Sequence, residues 1–167
     1  MDDSNETEWT RMYEALGRLL VQANYLEEAV VDLFWLVSGK SEADFIARIQ
    51  GDMLGKIMND MLAEYRRQVD DPVLLQSLGT FEPDLRTAVD KRNEFIHASW
   101  ARIVRAGIVD GFQRTRRPRK GAAREEFVDM KIEDVEAATE IIGRAAEWLW
   151  WELFDETGTA LRSAARK

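Results

Sequence analysis

His97 is the only histidine in the chain, and it closes the segment Arg92-Asn93-Glu94-Phe95-Ile96-His97. Histidine is the one side chain whose ordinary pKa lets it both take and give a proton near neutral pH. A single copy leaves any imidazole acid–base chemistry one address per chain. Arg92 is the stranger neighbour. On a helical wheel with Leu85 at zero, Ala88, Val89, Phe95 and Ile96 fall within about 80° and define an apolar face, with Arg92 near its middle. A guanidinium keeps its charge and is costly to bury alone, so Arg92 needs an acid, a second subunit's cleft or an anionic ligand. Asn93 and His97 are four residues apart and stack on the edge of that face.

Two readings of the segment compete. In the first, Arg92 pairs with an acid of the first helix, best Glu27 on the shoulder of that helix's apolar stripe, and His97 caps the helix end. In the second, Arg92 grips a phosphodiester with its bidentate fork while His97 moves protons.

Several elements must position this segment. Met12, Leu16, Leu19, Leu20, Ala23, Leu26, Val30, Leu33, Phe34 and Val37 repeat with helical spacing, so a long first helix runs from Trp9 to Val37 and stops at Gly39. Ser41 before Glu42-Ala43-Asp44 reads as an N-cap for a short helix to Ile49. A break at Gly51 precedes a third helical stripe, Met53 to about Val69. Asp71-Pro72 begins a short turn through Leu74, Leu75 and Leu78 that ends at Gly79. Glu82-Pro83-Asp84 starts the motif helix, which ends near Ser99. Residues 101–109 are β-branched and lead to Asp110-Gly111, a hairpin turn signal, with a further short strand at Glu126-Phe127-Val128-Asp129-Met130. Helical spacing returns from Glu133 and ends near Asp155 to Gly158. The expected fold is all-α: one domain over residues 1–167, an antiparallel four- to five-helix bundle with a small β-hairpin insertion (about 101–130) before the last helix.

The segment resembles the signature of the HEPN superfamily, the higher-eukaryote and prokaryote nucleotide-binding domains: an arginine, an adjacent polar residue, and a histidine four to six residues after the arginine. The helix order around it is also similar. The resemblance implies metal-independent RNA cleavage in a cleft between two motif helices of a homodimer. Arg92 would stabilise phosphate and transition-state charge, His97 would transfer protons, and Asn93 would orient them. It further implies a toxin or phage-defence effector, with an antitoxin or regulatory protein as a further partner. The alternative is a non-catalytic helical module that binds RNA, a nucleotide or a partner protein.

Charge supports an RNA partner in one region only. The chain carries −8 overall, yet residues 91–124 hold ten basic residues against Glu94 and Asp110. Lys91, Arg102, Arg114, Arg116, Arg117, Arg119 and Lys120 are the candidate RNA-steering residues, with Phe112 and Trp100 as base-stacking or core aromatics. Trp148, Trp150 and Trp151 cannot share one helix face, so one is exposed or covered by a partner.

Other chemistries find less support. The absence of cysteine excludes disulfides, thiolate metal sites and cysteine nucleophiles. Carboxylate pairs at helical spacing (Glu133 with Glu136, Asp90 with Glu94) are ordinary on solvated faces, so a carboxylate–metal hydrolase ranks third, with no metal or cofactor expected. There is no Gly-rich phosphate loop. The acidic N-terminus and the short apolar runs point to a cytoplasmic protein with no membrane partner.

Overall fold

Long first and last helices frame the bundle. The computed structural model describes residues 3–98, 100–105, 108–116 and 126–164. Helix α1 (Asp3–Ser38) is followed by α2 (Glu42–Ile49), α3 (Leu54–Gln68) and α4 (Pro72–Ile96). Strands β1 (Trp100–Arg105), β2 (Ile108–Arg116) and β3 (Glu126–Met130) precede α5 (Ile132–Trp148) and α6 (Asp155–Ala164), which are joined by a π-helical turn at Leu149–Phe154. This is an all-α bundle with a small antiparallel sheet ahead of its last helix.

The helix boundaries have local causes. Gly39 and Gly51 adopt positive φ (61° and 81°) where α1 and α2 have ended, a conformation that costs other residues more. Ser41 accepts from Asp44 N and caps α2, and the Asp71 carboxylate accepts from Val73 N and Leu74 N ahead of Pro72. The core is one continuous cluster. Leu19, Leu26, Leu33 and Phe34 of α1 are fully buried together with Met61, Leu62 and Tyr65 of α3, Leu78 and Leu85 of α4 and Ile142 of α5. Gly143 is buried beside α1, and a Cβ there would stand 3.0 Å from Gln22 Oε1, so its lack of a side chain leaves room for Gln22.

Three expectations are corrected. First, α4 is one helix of 25 residues and does not break at Gly79. Its packing stripe runs through Leu74, Leu78, Phe81, Leu85 and Ala88 without a phase change, and burial of that stripe outweighs the ladder bond Pro83 cannot donate. Second, Asp110-Gly111 is not the hairpin turn. Gly111 pairs with Ile103, Val109 with Val104 and Ile108 with Arg105, so Asp110-Gly111 lies inside β2, and the register shifts between Ile103 and Val104. Asp110 is the extra residue of a bulge. Third, the last helix passes through Gly158. The π-turn changes the helical phase, and Thr157 and Gly158 become buried, with the Thr157 hydroxyl hydrogen-bonded to Tyr65 of α3 at 2.7 Å.

The tryptophans divide accordingly. Trp148 stacks on Phe81 with ring centroids 4.0 Å apart and Trp150 leans on Phe154, while Trp151 is 75% exposed. The sheet has order β1-β2-β3. Phe112 of β2 meets Trp9 of α1 edge-on, and Trp100 of β1 lies against Phe95 of α4. The sheet therefore packs beside the C-terminal turn of the motif helix.

Candidate functional site

Helix α4 carries the site on its last two turns. Leu85, Ala88, Val89 and Phe95 are buried, which fixes the rotation of the helix and leaves Arg92 on the inward side. Its side chain is 13% exposed and pairs with Glu27 of α1, whose side chain is 43% exposed. Arg92 Nη2 donates to Glu27 Oε2, and Nη1 donates to Asn93 Oδ1 at 3.2 Å. The third nitrogen, Nε, is buried with no acceptor among the described residues. The acid named from the shoulder of the first helix is thus the one that meets the guanidinium. Exposing one partner of the pair limits the desolvation that a wholly buried ion pair would suffer.

His97 follows as the C-cap of α4, with φ −96° and ψ 5°, and is exposed. Within one chain the fold gathers Arg92, Asn93 and Glu27, and sets His97 one turn beyond Asn93 on the solvent side. A semi-buried cation with an exposed imidazole five residues farther along the same helix can hold an oxyanion and exchange protons with water or a second imidazole.

The basic candidates separate. Arg114 is not part of a solvent-facing basic wall. It is 5% exposed, its guanidinium lies 5.2 Å from the centroid of the Phe95 ring, and its Nη2 donates to Glu94 Oε1. The reason is strand alternation: β2 turns Phe112 and Arg114 to the same face, and that face packs on α1 and α4. Lys91 is partly exposed and holds the other oxygen of Glu94 at 3.2 Å. Arg102 lies on β1 and Arg116 ends β2, their side chains falling outside the described residues, as do Arg117, Arg119 and Lys120 altogether. Phe112 is 6% exposed and serves the core, not base stacking. Trp100 is partly buried against Phe95.

Sequence reasoning missed Glu94 as the link between hairpin and motif helix. It sits two residues after Arg92 and three before His97, and it joins α4 to β2 through Arg114. Its only signal in the chain is a carboxylate inside a strongly basic stretch.

No family model, curated protein or solved structure matches this chain. The chemistry is therefore read from the site itself. A groove of about 880 Å³ between the α3–α4 junction and α6 includes no motif residue and is lined by Asp70, Asp71, Glu152 and Glu156. Its acids would repel a polyanion, so the α4 end is the better candidate. Among the described residues, no group of three or more His, Cys, Asp or Glu is arranged to hold a metal ion, and no helix is long and apolar enough to cross a membrane.

Proposed function

We propose that the protein is a metal-independent endoribonuclease of HEPN type that works as a homodimer, with Arg92, Asn93 and His97 of both chains lining one cleft. The reading is supported above all by one observation: Arg92 is held semi-buried on the helix whose end presents the sole histidine to solvent. Arg92 binds the phosphodiester and the charge that grows on it in the transition state. One His97 takes the proton of the ribose 2′-hydroxyl as the oxygen attacks phosphorus. The other protonates the departing 5′-oxygen, leaving a 2′,3′-cyclic phosphate. Two protons must move at opposite ends of the scissile bond, which one imidazole does not easily manage, and a symmetric dimer supplies a second. Tyr13, Leu20, Val21, Tyr25 and Trp35 of α1 and Trp151 expose apolar surface that a second chain would cover. A toxin or phage-defence role restrained by an antitoxin or regulatory protein fits such an activity, and the cytoplasm is where RNA would be met.

The occupation of Arg92 by Glu27 favours a second reading, a non-catalytic helical module that binds RNA, a nucleotide or a partner protein. Incubation with structured and single-stranded RNA in EDTA separates the two. Cleavage that survives chelation and is lost in Arg92→Ala and His97→Ala is the expected result. Binding without cleavage supports the module, and a strict monomer at micromolar concentration overturns the two-chain mechanism.

A further inference from the structure

The carboxylate of Glu27 occupies one of the Arg92 nitrogens that a phosphate oxygen could otherwise take. Arg92 has three nitrogens that donate, and their occupancy is uneven: Nη1 serves Asn93, Nη2 serves Glu27, and Nε is buried without an acceptor among the described residues. Glu27 is the more exposed partner, 43% against 13%, so an anion approaching from solvent meets the carboxylate before the guanidinium. Carboxylate and phosphate oxygens offer the same kind of acceptor to the same fork.

We infer that Glu27 is an internal competitor for the phosphodiester: it holds Arg92 in the free protein and swings aside when a backbone phosphate takes its place. This rests on the reading of Arg92 as the phosphate ligand. The exchange is asymmetric in its costs. Glu27 leaves for water from a half-exposed position and recovers its hydration, whereas Arg92 cannot leave its semi-buried seat without losing its partners. A phosphate has more oxygens to offer than the single contact Glu27 makes, and it can satisfy the orphaned Nε together with Nη2. Glu27 thereby sets a threshold. While it is seated, the Arg92 charge is cancelled, and a lone anion gains little by displacing it. An RNA strand that makes further backbone contacts alongside can do so.

The test uses a 2′-O-methyl oligoribonucleotide, which lacks the attacking hydroxyl and reports binding without cleavage. Its affinity is measured by fluorescence anisotropy for the wild type, Glu27→Gln, Glu27→Ala, Arg92→Gln and the Glu27→Gln/Arg92→Gln pair, each confirmed folded by circular dichroism. Glu28→Gln, which removes the same charge from an exposed neighbour, controls for bulk electrostatics. Both Glu27 variants are expected to bind about tenfold tighter, the size of one charge-assisted hydrogen bond no longer displaced, and the gain should vanish with Arg92→Gln. Unchanged or weaker binding in the folded Glu27 variants overturns the proposal, as does an equal gain in Glu28→Gln. Cleavage of unmodified RNA is scored separately. Tighter binding with no cleavage by any protein refutes the nuclease and leaves the competitor standing. Cleavage that depends on His97, with no change in binding on removing Glu27, refutes the competitor alone.

Discussion

Removing Arg114 should cost far less than removing the acid it pairs with. Arg114 is 6% exposed at its side chain, Glu94 30%. Two of the three Arg114 nitrogens, Nε and Nη1, are buried with no acceptor among the described residues, so Glu94 is the one acceptor among those residues for a nearly dry cation. In Arg114→Met the new side chain still covers the Phe95 ring, while Glu94 keeps Lys91 and water. The net change should lie within about 1 kcal/mol of zero, because the desolvation of the guanidinium is removed along with its ion pair. In Glu94→Ala the cation stays buried without its one charge partner among the described residues, which costs about 3 kcal/mol. For a domain of this size that corresponds to a fall in Tm of roughly 6–12 °C. Scanning calorimetry and urea titration of both single variants and the double variant form a cycle in which the double should be more stable than Glu94→Ala alone. A loss in Arg114→Met equal to or larger than that in Glu94→Ala would refute the reasoning. It would mean that the bridge between β2 and α4 stabilises the fold outright.

Two further outcomes follow from other polar groups that are partly or wholly buried. Burial, and then repulsion from Glu28, holds the Asp32 carboxyl above its ordinary value of 3.8. A raised folded value means that ionisation opposes folding, so the penalty is present above the folded value and disappears as pH falls below the ordinary one. Asp32→Asn should melt above wild type at pH 7, the difference closing toward pH 3; an equal or lower melting temperature at pH 7 contradicts this. The 2.7 Å hydrogen bond between the Tyr65 hydroxyl and the buried Thr157 hydroxyl anchors α6 to α3. Tyr65→Phe leaves that hydroxyl stranded and should lose about 1–2 kcal/mol in thermal denaturation, and adding Thr157→Val should recover part of it; a neutral Tyr65→Phe would show that α6 does not need the bond.

The chain by itself determines what depends on near neighbours. Helical spacing reveals α1, α3 and the motif end of α4, since an apolar stripe must face a core wherever that core lies. Ser41, Gly39, Gly51 and Asp71 mark boundaries because caps and left-handed turns are satisfied within a few residues. The anomaly of Arg92 is legible for the same reason: a fixed charge on an apolar face demands a partner before any fold is known, and the wheel of α1 narrows the choice to Glu27. What tertiary structure alone decides is how residues distant in sequence share a face. Pro83 and Gly79 suggest a break, yet the stripe they interrupt is buried against other helices and α4 continues. Asp110-Gly111 signals a turn from near neighbours alone, and only the pairing of β1 with β2 places it inside a strand. Arg114 looks like one more cation in a basic run until strand alternation turns it inward onto Phe95 and Glu94. Most consequential for function, the fold makes Glu27 the more exposed partner and leaves one Arg92 nitrogen without an acceptor. Charge and spacing demand that the arginine be paired, whereas burial, a property of the whole packed chain, decides which partner is free to leave.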